Sequence, residues 1–161
     1  MDQTYVNWNG HHVKITWLPN RMPNVALMTS VHGYCFLDEK IMLVKIDNRG
    51  FNMPGGHIEG NETPEQAFHR EAYEEGYVKG EIKYLGTIEV NHSDNPLFDP
   101  NGIYPLIGYQ LFYRMEITEC LPFLRKNESL ARIWVEPDQI SYIIDDHPLT
   151  LKILEAALKI K

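Results

Sequence analysis

GHIEGNETPEQAFHREAYEEGYV, residues 56–78, joins a glycine turn, a helix start and a run of acidic residues. Thr63 is an N-cap candidate, Pro64 suits the first helical position, and Gln66 completes a capping box. Gly76 supplies the stop. At about 100° per residue, Glu71, Glu74 and Glu75 fall within roughly a 100° arc of that helix. Phe68 and Ala72 lie beside this stripe and can pack the helix onto a sheet. Like charges three and four residues apart repel, by about 0.2–0.5 kcal/mol per pair in an isolated helix. A solvated face would gain from interleaved lysines, whereas a hard divalent cation needs clustered oxygen ligands. A salt-bridged surface helix explains Arg70 and Glu74 but not the rest of the spacing.

Before this segment, residues 4–18 read as a β-hairpin around Asn9-Gly10, a pair suited to a type I′ turn. Residues 25–37 and 41–46 read as strands around a turn at Asp38-Glu39-Lys40. Pro54-Gly55-Gly56 lets backbone approach a partner closely. After the helix, residues 81–90 predict a strand, and 91–102 a polar loop of functional length. Residues 103–117 predict one long strand or two, and 131–135 a short one. Residues 148–160 predict an amphipathic helix with Leu151, Leu154, Ala157 and Leu158 on its inner side. Several strands with two good helices imply an α/β (α+β) fold, a mixed sheet flanked by helices on both faces.

At 161 residues the chain is expected to form one domain, 1–161, with residues 1–24 as an N-terminal hairpin extension. A net charge of −7 argues against binding nucleic-acid polymers or anionic membranes, which want basic patches. An anionic ligand would need bound metal to offset that charge. Cys35 and Cys120 are far apart and in no metal-ligand spacing, which predicts two buried thiols in a reduced compartment. The first residues show no signal-peptide pattern, and no apolar run reaches membrane-spanning length, so the expected location is the cytoplasm.

Gly56, five residues, Glu62, seven residues, then Arg70-Glu71-Ala72-Tyr73-Glu74-Glu75 resembles the box of the Nudix (MutT-like) hydrolases. The Pro-Gly-Gly before it and Trp134-Val135 after it resemble the family too. The resemblance implies an α/β/α sandwich, a divalent metal (usually Mg²⁺, with Mn²⁺ an alternative) and hydrolysis of a nucleoside diphosphate linked to another group. It places Glu71, Glu74 and Glu75 as metal ligands, joined by the Gly55 carbonyl. Glu71 is also a candidate to take the proton from the attacking water. Arg70 would hold a carboxylate in place, and Glu62 would orient the loop, with Glu59 nearby. Glu128, in a segment where some family members carry a further acidic ligand or base, is a second candidate base; a solvated loop glutamate is the alternative. One departure stands out. The family places glycine two residues after the Glu-Glu pair, where this chain has Tyr77, with Gly76 one place early. A helix stopped at Gly76 would leave Glu75 at the cap.

Other candidates are Phe51 as a cleft wall, Gly56 as substrate-contacting backbone, and His57 and His69 near phosphate, with surface or supporting roles for the two histidines ahead of phosphate contact. Asp94 and Asp99 read as metal-directed or as plain turn formers. Trp8 and Trp17 read as core. The expected substrate is a nucleotide-type small molecule, with a (deoxy)nucleoside triphosphate ahead of ADP-ribose, another nucleotide sugar or a dinucleoside polyphosphate. A sensor that binds a nucleotide without cutting it is the alternative of another class. The hairpin offers an edge for a homodimer.

Overall fold

The computed structural model describes residues 2–160. Met1 and Lys161, the ends of the domain expected over 1–161, lie outside the described residues. Strands β1 (Gln3–Trp8) and β2 (His11–Pro19) form the expected hairpin, with Asn9 at φ 54° and Gly10 at φ 92° in its turn. β3 (Met28–Leu37) begins three residues later than read from sequence. Residues 25–27 form a single 3-10 turn instead, because the Asn24 side chain caps the Ala26 N–H. β4 (Lys40–Ile46), β5 (Phe51–Asn52) and β6 (Gly55–His57) lead to helix α1 (Pro64–Gly76). β7 (Val78–Asn91) and β8 (Ile107–Cys120) are paired along nearly their whole length. The strand expected over 103–117 is thereby shifted, and residues 103–106 belong to the loop. β9 (Ser129–Val135), a one-turn helix α2 (Ile140–Ile143) and α3 (Leu149–Lys159) complete the chain.

The strands run β1-β2-β7-β8-β3-β4-β5, with β6 beside β3 and β9 beside β4. Among the described residues only β3–β8 is parallel, so the sheet is mixed, as expected. Its position sets up the site. β3 pairs with β4 through Cys35–Leu37 and with β6 through Ser30–His32. β4 meanwhile turns to β5. The strands fork, and the Pro54-Gly55-Gly56 turn lies in the fork.

Both faces of the sheet are apolar, which is why Ile41-Met42-Leu43-Val44 reads as an unbroken run. Met42 and Val44 face one cluster with Cys35, Phe68 and Ala72, under α1. Ile41 and Leu43 face the other with Tyr34, Phe36 and Ile153, under α3. Two expectations about α3 and the thiols are corrected here. Leu151 and Leu158 are exposed, because the buried stripe runs Leu149, Ile153, Ala157 with Thr150 and Leu154 beside it. Cys120 is exposed at the end of β8, where the strand outruns the core, while Cys35 is buried.

The capping box at Thr63 and Gln66 forms in both directions. The C-terminal end of α1 departs from expectation. Gly76 is still helical, and Tyr77 takes the left-handed cap at φ 56°, ψ 40°. Gly76 serves packing instead: a Cβ there would collide with Met42 Cε on β4. Glycine is thus spent where the helix meets the sheet, and Tyr77 bears the backbone cost, about 1–2 kcal/mol for a non-glycine residue. Burial offsets it. The Tyr77 ring meets Phe123 edge-on at 5.3 Å, and its hydroxyl accepts from the Lys126 N–H at 2.8 Å. Truncating a buried aromatic costs about 3–5 kcal/mol. Tyr77→Gly is therefore expected to lose about 2 kcal/mol net, measured by urea unfolding; a variant as stable as the native chain would refute this account of the cap.

Candidate active site

Because α1 ends at Gly76, Glu75 lies inside the last turn, not at the cap. The last carbonyls of the helix are satisfied in order by the segment before and within β9. Asn127 Nδ2 donates to the Glu74 carbonyl at 3.2 Å, Ser129 Oγ to Glu75 at 2.7 Å, and Arg132 Nη1 to Gly76 at 2.9 Å. These bonds meet the orphan acceptors of a helix C-terminus. They also carry Glu128 to the box helix, and the sequence alone could not place it there.

Facing this end of the helix is a cavity of about 1130 Å³. Glu71, Glu75 and Glu128 line it, with Gly55, Gly56, His57, Glu59 and Phe51. Glu74, Arg70 and Glu62 are not among the lining residues. His69 is exposed elsewhere on the helix.

The buried Glu75 accepts the Gly55 N–H on Oε1 at 2.9 Å. Burial pushes its carboxyl up to about 7, with Glu71 and Glu128 adding repulsion. Burial also raises Glu71, against the opposing effect of Arg70. Gly56 approaches Glu71 so closely that a Cβ would stand 2.5 Å from its Oε2, and the Glu71 carboxylate would have to move.

Arg70 organises the rest. Its Nε and Nη2 donate to both oxygens of Glu62 at 2.6 and 3.0 Å, its Nη1 to Glu71 at 2.6 Å, and its Nη2 also to the His57 carbonyl at 3.0 Å. Glu74, the partner that helical spacing pointed to, is held less closely at 3.4 Å. Glu62 accepts the Glu59 N–H as well. The Glu59 side chain is largely exposed, 3.7 Å from Arg70.

The cavity has further walls that no motif announced. His32, on β3, bonds Ser30 Oγ at 2.9 Å and stacks on Phe112, and burial pushes its imidazole down to about 4. Asp146 accepts from Asn52 Nδ2, and His147 Nδ1 is buried with no partner. Trp8 lines the cleft and is not purely core, whereas Trp17 is buried. His57 Nε2 lies 3.0 Å from Tyr104 Oη, bridging the box loop to the 92–106 loop. Asp94 and Asp99 both take part in loop hydrogen bonds, and Asp99 also lines the cleft. Asp94 accepts from Tyr5 Oη at 2.8 Å, and Asp99 closes a turn on Asn101.

As placed, no three His, Cys, Asp or Glu side chains among the described residues converge tightly enough to chelate a metal. The donor chemistry nonetheless fits a hard cation: carboxylates of like charge, crowded at one end of a helix, beside a backbone carbonyl turn. Glutamate side chains can rotate to converge on one ion. No described helix is long and apolar enough to cross a membrane.

The chain's overall shape recurs in solved structures. A pyrophosphohydrolase of Bacillus subtilis, BsRppH, superposes with a TM-score of 0.72 at 19% identity, over 99% of this chain and 94% of that one. The NUDIX domain of Shewanella oneidensis NrtR, solved with ADP-ribose, gives 0.63 at 20% identity, over 88% and 95%. A MutT structure from work on Aliivibrio salmonicida and Vibrio cholerae gives 0.55 at 20% identity, over 80% and 94%. At these identities the likeness shows a common fold. No curated protein matches the chain. The model of the NUDIX domain matches residues 27–156, most of the chain, and so the chain belongs to the NUDIX family.

Proposed function

We propose that this chain is a metal-dependent pyrophosphohydrolase, cutting a phosphoanhydride bond of a nucleoside diphosphate linked to another group. The observation that carries this reading is the crowding of Glu71, Glu75 and Glu128 against the Gly55-Gly56 turn in a cleft large enough for a nucleotide. A (deoxy)nucleoside triphosphate is our first choice of substrate. The similarity to a pyrophosphohydrolase and to MutT supports it, and the domain bound to ADP-ribose keeps that nucleotide sugar as the second.

Glu71, Glu75 and the Gly55 carbonyl are the residues that would hold Mg²⁺ or Mn²⁺, with Glu74 one turn along the same helix. When bound, the cation supplies charge neutralisation on the phosphates and acidifies water. The chain's own residues do the rest. Arg70 fixes the Glu71 carboxylate, so that its remaining oxygen faces the cleft side of the Gly56 turn. Glu128, which lines the cleft from its own segment, would accept the proton of the attacking water, with Glu71 as the alternative base. His57, held by Tyr104, stands at the mouth.

The test is a panel of nucleoside triphosphates, ADP-ribose and dinucleoside polyphosphates with Mg²⁺, products identified by phosphorus NMR. Turnover of at least one phosphoanhydride is expected, with a loss of at least about 100-fold after chelation of the metal. Turnover that survives chelation, or no turnover of any substrate, would overturn the reading. Tight binding without chemistry would instead favour the nucleotide sensor.

A further inference from the structure

The cleft has a charge imbalance that the box does not correct. Among the described residues seven carboxylates line it, against a single lysine or arginine, Arg49. A diphosphate ligand brings further negative charge, and a divalent ion offsets only part of it. Arg49 sits in the turn between β4 and β5, on one arm of the fork that holds the Gly55-Gly56 turn. Its backbone is fixed at both ends. The Arg49 N–H donates to the Ile46 carbonyl at 2.9 Å, and its carbonyl accepts from Lys45 Nζ at 3.0 Å. The pairs Val44–Asn52 and Lys45–Phe51 close the hairpin around it.

The side chain, in contrast, is uncommitted. Among the described residues nothing accepts a hydrogen bond from the Arg49 guanidinium or forms an ion pair with it. Its charge is nonetheless near enough to Glu75 to oppose the rise that burial imposes on that carboxyl. Space is therefore left between guanidinium and carboxylate. The arginines around the box helix behave otherwise. Arg70 spends its donors on Glu62, Glu71 and the His57 carbonyl, and Arg132 donates to the Gly76 and Leu121 carbonyls. Those two hold the fold together. Arg49 lies on an exposed turn, where asparagine, aspartate or glycine would serve the backbone equally well.

We propose that the Arg49 guanidinium binds the non-bridging oxygens of a substrate phosphate from the side opposite Glu75, holding the diphosphate between itself and the cation at the box, on the reading above that the box ligand carries a diphosphate. A guanidinium presents a planar fork of donors that matches two phosphate oxygens. The contact involves neither base nor sugar, so it is common to every candidate substrate.

Methylenediphosphonate, whose P–C–P bridge water does not cut, probes this contact without a base and without turnover. It is titrated into the full chain with Mn²⁺ present by calorimetry, and Mn²⁺ binding alone is followed by electron paramagnetic resonance. Arg49→Gln removes the charge and leaves the backbone bonds of the turn. It is expected to weaken the diphosphonate about 10- to 100-fold. Mn²⁺ should bind the variant at least as tightly as the native chain, because a positive charge near Glu75 has gone. That split separates a phosphate contact from a structural arginine, whose loss would weaken both ligands together. An unchanged diphosphonate affinity would make Arg49 a solvated surface residue, and a parallel loss of Mn²⁺ would make it structural. Either result overturns the inference and leaves the hydrolase standing. A native chain that binds neither Mn²⁺ nor the diphosphonate would remove the metal site, and the role of Arg49 with it.

Discussion

Glu75→Gln is expected to cost about 10³-fold in kcat while leaving the metal-free protein at least as stable as the native chain. The two effects have one cause. The Glu75 carboxylate is buried beside Glu71 and Glu128, in surroundings that push its carboxyl up to about 7. A buried negative charge in that company weakens the fold unless a cation joins it. The amide of glutamine keeps the shape, and its Oε1 can still accept the Gly55 N–H that Glu75 takes at 2.9 Å. The charge is lost, and the second carboxylate oxygen becomes an NH2 that cannot ligate a hard cation. Steady-state kinetics with Mg²⁺ and thermal unfolding in a chelator read the two halves separately. A variant that unfolds early would show Glu75 to be a structural carboxylate. A variant that turns over normally would remove it from the metal site. Glu74→Gln, outside the cleft lining, is expected to lose less activity than Glu75→Gln.

The sequence made α1 legible at its N-terminus because capping is local. Thr63, Pro64 and Gln66 carry their own partners within four residues. The C-terminus was not legible, since what decides it is remote. Gly76 lets the helix pack closely on Met42 of β4, and Tyr77 is held in its left-handed cap by Phe123 and Lys126. The same contrast divides the site. Spacing on one helix singled out Glu71, Glu74 and Glu75, of which Glu71 and Glu75 line the cleft and Glu74 does not. Glu128 reaches them only through Asn127 and Ser129, whose bonds to helix carbonyls carry no sequence signature. The histidines show it most plainly. His11 and His92, which both line the cleft, have no meaningful spacing in the chain, and Asn95 brings them together. Sheet order was likewise beyond reach, because pairing β2 with β7 depends on burying both faces at once.

Arg70→Lys should lose about 10²-fold in kcat/KM and about 2–3 kcal/mol of stability, although the charge is conserved. Arg70 makes five contacts that one ammonium cannot reproduce. Its fork takes both oxygens of Glu62, its Nη1 holds Glu71 at 2.6 Å, its Nη2 reaches the His57 carbonyl, and Glu74 lies at 3.4 Å. Lysine offers a point charge on a flexible stem and would satisfy one carboxylate at a time. The carboxylate it gives up costs stability, since Glu62 and Glu71 expose only 20% and 12% of their side chains. Activity falls by a separate route: Glu71 loses its fixed orientation beside Gly56, and the loop loses its anchor at His57. A structural role alone would lower stability and leave the metal dependence unchanged. A positioning role also raises the Mg²⁺ concentration needed for half-maximal rate, by about 10- to 100-fold on the scale usual for groups that orient metal ligands. Titrating Mg²⁺ into Arg70→Lys at a temperature where it is fully folded separates the two. An unchanged Mg²⁺ requirement would mean that the arginine staples the loop without setting the carboxylate.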